Sequence, residues 1–183
     1  MHRVFEQHGV RFEYPEDWIL HEESSPGEVS ITVNSPETSF WSLTLLFERP
    51  DPYRVVETVL DALREEYSEI DVYSSEERLG DNSTVARDVD FVCHELIGSA
   101  FLRAAVTPGF TLLVLYQGAD FELDETQPIL ERVSKSLTWE MSSEARVVDV
   151  LDFFELAGDA NAESEEDASD SDTPTGNTLG TEE

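Results

Sequence analysis

Residues 110–116, with the sequence FTLLVLY, constrain the fold more than any other segment of the chain. In a strand with one solvated face, apolar residues alternate with polar ones, whereas a strand that is buried on both faces is apolar almost throughout. The segment therefore predicts the central strand of a sheet whose two faces are both covered by helices. Residues 101–106 precede it across a Thr107-Pro108-Gly109 turn, and this arrangement predicts a hairpin.

Alternating apolar residues predict the other strands of the sheet. Val10, Phe12 and Tyr14 alternate with polar neighbours, and the apolar residues 18–20 follow closely, which favours an early strand pair. A weaker strand is predicted near residues 71–79, before a turn at residues 80–82. The remaining alternating sets are Val29, Ile31 and Val33; Trp41, Leu43, Leu45 and Phe47; and Val85, Val89, Phe91 and Cys93.

Two segments have the residue spacing of amphipathic helices. The first begins at Asp51, whose side chain can cap free backbone N–H groups, with Pro52 at the first helical position. The second is predicted over residues 126–137, with Pro128 in its first turn. The apolar sides are formed by Val56, Val59, Leu60, Leu63 and Tyr67 in the first helix and by Ile129, Val133 and Leu137 in the second.

Together these elements predict a single α+β domain in residues 1–140. Its sheet is expected to be antiparallel, with about six to seven strands and helices on both sides. We find no internal repeat in the sequence.

The opening residues 9–18, GVRFEYPEDW, resemble the start of PsbP/Mog1-like superfamily domains, in which a glycine, a Tyr-Pro pair and a tryptophan recur at this spacing. The resemblance implies an α/β/α sandwich over about residues 3–139, with Tyr14, Pro15 and Trp18 as structural residues that shape the first turn and fill the core. It also implies a binding module without catalysis, as in a photosystem subunit, a small-GTPase release factor and bacterial lipoproteins and chaperones. The chain shows no lipoprotein signal and ends in an acidic tail, so the partners of those proteins do not transfer.

The chain is strongly acidic, with 41 acidic residues against 11 basic ones and a formal net charge of -30. Lys135 is the single lysine, and the other basic residues are arginine. This composition is typical of proteins from a high-salt cytoplasm, because 1 M salt screens repulsion within about 3 Å and bidentate arginine pairs persist there. An alternative interpretation is an acidic surface that binds basic proteins or mimics nucleic acid. Nucleic-acid binding is itself disfavoured, because the sequence has no basic stripe.

Residues 141–156 are predicted to be a linker that leads into a short apolar and acidic segment, residues 147–156. Its candidate partner-binding residues are Val150, Leu151, Phe153 and Phe154, which could dock as a short helix into a groove of another protein. The alternative is that the segment folds back over the chain's own sheet. Residues 157–183 are too polar to offset the entropy of ordering and predict a disordered acidic tail.

The sequence contains no pattern that indicates a catalytic, metal or cofactor site. The four histidines lack metal-ligand spacing. Cys93, the single cysteine, is expected to be buried and inert, since His94 points to the opposite face of a strand. Asp88 and Asp90 share a strand face, but such pairs arise by chance among 41 acids. No apolar run is long enough to span a membrane and no leader precedes the domain, so we expect a soluble cytoplasmic protein.

These observations favour a non-enzymatic adaptor or chaperone-like module that binds another protein, without a cofactor, nucleic acid or membrane insertion. One alternative is a small-ligand-binding protein or enzyme with a pocket between sheet and helix. Another is an acidic decoy for basic proteins, whose binding would weaken as the salt concentration rises.

Overall fold

The computed structural model describes residues 1–80, 82–93 and 96–139. The predictions for His94, for the segment at residues 141–156 and for the tail at residues 157–183 lie outside the described residues. The elements in chain order are β1 (His2–Gln7), β2 (Val10–Pro15), β3 (Ile19–Ser25), β4 (Glu28–Asn34), β5 (Phe40–Leu46), α1 (Pro52–Glu66), β6 (Glu69–Ser75), β7 (Thr84–Cys93), β8 (Leu96–Val106), β9 (Thr111–Ala119), α2 (Asp120–Ser136) and β10 (Thr138–Trp139).

Seven strands form one antiparallel sheet in the order β3-β4-β5-β9-β8-β7-β6. Strand β9 occupies the middle of this order, which confirms the prediction drawn from residues 110–116. Its side chains alternate between two cores: Leu112, Val114 and Tyr116 pack in the first, while Leu113 and Leu115 pack in the second. The predicted hairpin is confirmed too, because β8 pairs with β9 and Thr107 N–H donates to the Phe110 carbonyl at 2.8 Å.

Helix α1 covers one face of the sheet and α2 covers the other, so the predicted α+β sandwich is confirmed. Helix α1 begins as the sequence indicates, since the Asp51 carboxylate accepts hydrogen bonds from the backbone N–H groups of Tyr53 and Arg54. Val55, Val56, Leu60 and Leu63 turn inward against strands β7, β8 and β9.

A smaller sheet of three strands, in the order β1-β2-β10, packs beside α2 on that same side. The predicted pairing of residues 10–14 with residues 18–20 is wrong, because β2 pairs with β1 and β10 while β3 pairs with β4. A turn closed by the Trp18 N–H and the Pro15 carbonyl at 3.2 Å redirects the chain between the two sheets. Strand β1 gave little signal in the sequence, because Phe5 is its one buried residue.

The second helix starts earlier than the sequence indicated. It runs from Asp120 directly out of β9, so Pro128 is its ninth residue and not part of its first turn. A proline inside a helix removes one backbone hydrogen bond, here to the carbonyl of Asp124. Pro128 and Asp124 are both exposed, so water can satisfy that carbonyl and the helix continues. Within the described residues, neither helix is long and apolar enough to cross a membrane.

Candidate functional site

Each helix covers only part of the sheet face on which it lies. Helix α1 contacts β6, β7, β8 and β9 on one face, whereas α2 contacts β2, β5, β8 and β9 on the other. Two parts of the sheet therefore have no helix over them among the described residues. One lies on strands β3 to β5 on the α1 side, and the other on strands β6 to β8 on the α2 side.

The uncovered part on the α1 side is mainly polar, and we call it the Ser/Thr face. Its residues follow from the register of β3, β4 and β5, in which His21 lies opposite Thr32 and Thr32 lies opposite Ser42. A solvated face of an antiparallel sheet normally carries polar residues of this kind. Ile19, at the start of the edge strand β3, is the large exposed apolar residue of this face and is 61% exposed. The residues of the Ser/Thr face are Ile19, His21, Glu23, Ser25, Glu28, Ser30, Thr32, Asn34, Phe40, Ser42 and Thr44.

The uncovered part on the α2 side has a different composition, and we call it the open face. Its residues are Glu69, Asp71, Tyr73, Asp88, Asp90, Val92, Ile97, Ser99 and Phe101. The register places them in three rows across the strands: Glu69 with Val92 and Ile97, Asp71 with Asp90 and Ser99, and Tyr73 with Asp88 and Phe101.

Several large apolar side chains of the open face are in contact with solvent. Tyr73 is 52% exposed, Ile97 is 55% exposed and Val92 is 36% exposed. Phe101 is partly buried because its ring stacks on Tyr116 at a centroid distance of 4.7 Å, where the first core ends. The exposed apolar groups are thus continuous with the core at one end of the face.

A buried arginine forms the floor of the open face next to Phe101. The Arg103 side chain is 3% exposed, and its Nε and Nη2 donate to Glu77 Oε2 at 2.8 and 2.6 Å. Its Nη1 donates to the carbonyls of Arg87 and Leu102 and lies 2.7 Å from Asp88 Oδ1. Because both Nη1 protons point to carbonyls, the contact with Asp88 is electrostatic and Oδ1 accepts no hydrogen bond.

The charges around Arg103 also set the ionisation of their neighbours. Burial lowers the pKa of Arg103, but the Glu77 hydrogen bond and the nearby negative groups outweigh burial, so the pKa lies above its ordinary value. Burial raises the pKa of the Tyr116 hydroxyl, and the Glu77 carboxylate raises it further. The floor of the open face therefore holds a permanent cation beside a neutral tyrosine.

Three further carboxylates of the open face, those of Glu69, Asp71 and Asp90, form none of the ion pairs among the described residues. Asp71 and Asp90 are directly opposite each other on β6 and β7. The Asp90 carboxylate accepts a hydrogen bond from Ser99 Oγ at 2.7 Å. Like charges directly opposite each other on paired strands are destabilising, so the pair of Asp71 and Asp90 lowers the stability of the sheet at this point.

The position of α2, and with it the limit of the open face, is fixed by a buried carboxylate at the other end of the sheet. Glu122 accepts hydrogen bonds from Ser35 Oγ at 2.8 Å, Thr38 N at 2.9 Å, Ser39 N at 3.0 Å and the Thr38 hydroxyl. Burial raises the pKa of Glu122, but these hydrogen bonds lower it more, and the pKa lies below its ordinary value. The loop between β4 and β5 thus holds the first turn of α2.

The residues singled out in the sequence lie in different places. Tyr14, Pro15 and Trp18 are buried beside the small sheet, away from the open face, so they contribute to the core. Val150, Leu151, Phe153 and Phe154 lie outside the described residues, and their partner-binding role stays a prediction. Cys93 is partly exposed, which corrects the expectation that it is buried.

The sequence interpretation missed Arg103 and the acidic pair. Arg103 carried a usable signal, because a single arginine in the apolar run of residues 100–106 predicts a buried cation that needs partners. Asp71 and Asp90 carried no such signal, because only the register of β6 with β7 shows that they lie opposite each other.

Two cavities lined by described residues lie away from the open face. One of about 270 Å³ lies beside the small sheet, lined by Glu6, Gln7, Gly9, Val10, Arg11, Thr138 and Trp139. Another, of about 60 Å³, lies between the small sheet and α2 near Pro15 and Ile129. Pockets for drug-sized ligands usually measure about 300–1,000 Å³. Both cavities fall below that range.

Comparison with known proteins finds similarity in structure but not in sequence. The chain matches no protein-family profile and no curated protein sequence. Among solved structures, the crystal structure of LpqN, involved in cell envelope biogenesis of Mycobacterium tuberculosis, matches at 15% identity and a TM-score of 0.46, covering 75% of this chain and 90% of LpqN. The solution structure of cyanobacterial PsbP (CyanoP) from Synechocystis sp. PCC 6803 matches at 14% identity and a TM-score of 0.47, covering 76% and 92% of the two chains.

A crystal structure from Bacteroides thetaiotaomicron matches at 10% identity and a TM-score of 0.45, covering 87% of this chain and 60% of that one. A PsbP protein is thus among the solved structures to which this chain is similar. At these identities and TM-scores the matches carry no argument about what this chain binds.

Proposed function

We propose that this chain is a non-enzymatic protein-binding module, an adaptor or chaperone-like protein of a high-salt cytoplasm, and that the open face is its binding surface for another protein. The observation that carries the proposal is the composition of the two uncovered parts of one sheet. The Ser/Thr face is mainly polar and has one large exposed apolar residue, Ile19, whereas Tyr73, Val92 and Ile97 are grouped on the open face.

The exposed apolar residues of the open face differ from ordinary surface apolar residues because they lie next to one another. Single exposed apolar residues are normal, but a patch of several with acidic residues among them is typical of a protein interaction site. Val92 and Ile97 are direct cross-strand partners, and Tyr73 and Phe101 flank Asp88 in the same row. Tyrosine is also enriched in protein interfaces, because its ring is large and its hydroxyl remains hydrogen-bonded.

The shape of the site favours a protein over a small molecule. The open face is the surface of three paired strands, whereas small molecules generally bind in concave cavities. The alternative function requires a small-ligand site between sheet and helix. The cavity of about 60 Å³ beside α2 is the candidate for such a site. That volume is well below the range of about 300–1,000 Å³ for pockets that bind drug-sized ligands.

The proposed high-salt setting decides which interactions can drive binding. At about 1 M salt, attraction between charges is screened within about 3 Å, so only groups in direct contact interact. Burial of apolar surface is not weakened in this way, and some salts strengthen it. The affinity of the open face would therefore come mainly from Tyr73, Val92, Ile97 and Phe101.

The test is co-purification from the native cells in molar KCl with two matched variants. Tyr73→Ser/Ile97→Ser removes exposed apolar groups from the open face, and Thr32→Ala/Ser42→Ala changes the Ser/Thr face. We expect a stoichiometric partner to co-purify with the wild type and the Thr32/Ser42 variant, and to be lost from the Tyr73/Ile97 variant. Equal recovery in all three would show that the open face is not the binding surface. A partner that dissociates steadily as KCl is raised would instead favour the acidic decoy.

A further inference from the structure

The contacts of the buried Arg103 show how residues of the open face can hold a guanidinium group. Arg103 lies with its Cζ 5.9 Å from the centroid of the Phe101 ring and with Nη1 2.7 Å from the Asp88 carboxylate. An arginine in such a position gains electrostatic attraction to the carboxylate and to the aromatic ring. Aromatic ring and carboxylate therefore already form one cation site, and Arg103 occupies it.

The same two kinds of group recur on the exposed part of the open face without a cation. Asp71 and Asp90 are directly opposite each other, and Tyr73 is the next residue on the same side of β6. Cross-strand partners have Cβ atoms about 5 Å apart, and residues two apart on a strand are about 7 Å apart. A single guanidinium has five N–H donors in a plane, so it can reach both carboxylates while its plane meets the tyrosine ring.

Arginine suits this site better than the other cations that could neutralise it. The described residues hold no group of three or more metal-ligating side chains, which disfavours a bound metal ion. A lysine ammonium is a compact and strongly hydrated charge, whereas the guanidinium is weakly hydrated and stacks on aromatic rings. In concentrated salt, the contact that persists is the one made by direct hydrogen bonds and stacking.

The chain's own segment at residues 147–156 is a poor occupant for reasons of charge. It carries Asp149, Asp152 and Glu155 and no basic residue. Docking it on the open face would bring these acids towards Asp71 and Asp90, and like charges in contact oppose binding. A second copy that docked through its own open face would bring its Asp71 and Asp90 into direct contact with these carboxylates, and meets the same repulsion.

Building on the proposed function, we infer that the open face binds a segment of its partner protein that carries arginine beside apolar residues. The guanidinium lies between Asp71 and Asp90 against Tyr73, and the apolar neighbours of that arginine pack on Val92 and Ile97. The apolar contacts supply most of the affinity, and the arginine sets the register of the partner on the strands.

The experiment uses the full chain in its native cells with the photo-reactive residue benzoylphenylalanine in place of Tyr73. Crosslinking in molar KCl followed by mass spectrometry identifies the partner and the segment that touches the open face. Peptides with the sequence of that segment are then measured for binding to the wild type, with each arginine either kept or replaced by uncharged citrulline. Asp71→Asn/Asp90→Asn tests the receiving carboxylates, and Glu23→Gln/Glu28→Gln makes the same charge change on the Ser/Thr face.

We expect the crosslinked segment to contain arginine next to apolar residues. We also expect the citrulline peptide and the Asp71/Asp90 variant each to weaken binding by about ten- to a hundredfold, as for the loss of charged hydrogen bonds. The Glu23/Glu28 variant should bind as the wild type does. A partner segment without arginine, or binding unchanged by citrulline, would overturn this inference and leave the proposed function standing. Crosslinks to residues 147–156, to a second copy or to no protein would overturn both.

Discussion

The Ser/Thr face and the open face are two uncovered parts of one sheet, on opposite sides and at opposite ends of the strand order. Both meet the same solvent, and neither has a helix over it among the described residues. On the Ser/Thr face, Ser30 Oγ lies 3.5 Å from Thr44 Oγ1, and such groups satisfy each other or water. On the open face, aromatic and aliphatic groups stand among carboxylates. The Ser/Thr face has a single large exposed apolar residue, Ile19, whereas the open face groups three, so this grouping requires a separate reason.

The largest effect should come from the floor of the open face. Arg103→Met leaves Glu77 and Asp88 without their cation, and breaking a buried pair commonly costs 3–5 kcal/mol. Because these two carboxylates are about one-third exposed, we expect the lower end, about 3 kcal/mol of unfolding free energy, by chemical denaturation. The exposed Arg64→Met, which also loses two ion pairs, should cost only about 0–1 kcal/mol. Similar losses in both variants would mean that Arg103 does not organise the open face.

The next effect concerns Glu122, whose hydrogen bonds to the β4–β5 loop hold the first turn of α2. Glu122→Gln should lower the free energy of unfolding at pH 7 by about 2 kcal/mol, because hydrogen bonds to a charged acceptor are worth about 1.5–3 kcal/mol. The exposed Glu125→Gln on the same helix serves as the control.

The pH dependence of the Glu122 effect has a definite sign. The pKa of Glu122 in the folded protein is below the ordinary value of 4.5, so the carboxylate stabilises the fold above that value. This contribution is lost as the pH falls from 4.5 through the lower pKa of the folded state. Denaturation curves of wild type and Glu122→Gln should therefore converge at low pH. A constant difference across that range would contradict the assignment of a charged Glu122.

A smaller effect tests whether the open face is free in the isolated chain. Tyr73→Ser/Ile97→Ser should change the free energy of unfolding by no more than about 1 kcal/mol in total, since surface substitutions usually stay within ±0.5 kcal/mol each. Val89→Ala, at a fully buried position of the same strands, should cost more because it leaves a cavity. A loss above about 2 kcal/mol in the Tyr73/Ile97 variant would show that the open face is already packed and would remove the contrast with the Ser/Thr face.

The smallest effect is a gain in stability. Asp71→Asn/Asp90→Asn removes a like-charge cross-strand pair and should raise the free energy of unfolding at low salt by about 0.5 kcal/mol. The gain should shrink in molar KCl, where the repulsion is screened. Glu23→Gln/Glu28→Gln makes the same charge change, but these glutamates lie opposite serines, so the gain should be smaller. Equal gains would trace the effect to net charge and not to the opposed pair.

The apolar patterns of single segments predicted most helices and strands of this fold. The open face, in contrast, is formed by pairing between strands, which those patterns do not show. Residues 110–116 indicated a central strand because a strand that is buried on both faces is apolar almost throughout, and this is visible within one short segment. The partners of β2 could not be predicted, because β1 has a single buried residue and β10 is far away in the sequence. The start of α2 was missed because its first turn is held by Glu122 and the β4–β5 loop, and not by a local cap. The open face depends on two registers at once, that of β6 with β7 and that of β7 with β8, so no segment alone carries its pattern.

The order of strands in the main sheet has a consequence for how the chain is synthesised. Strands β3, β4 and β5 follow one another in sequence and in space, as do β6 to β9, and the two groups meet where β5 pairs with β9. A nascent chain on the ribosome can form the first group early, but the edge of β5 with Trp41, Leu43 and Leu45 stays unpaired until residues 111–119 emerge. During that interval an apolar strand edge is open to other nascent chains. The pairing of β5 with β9 is therefore the step that closes this edge and protects the chain from such contacts.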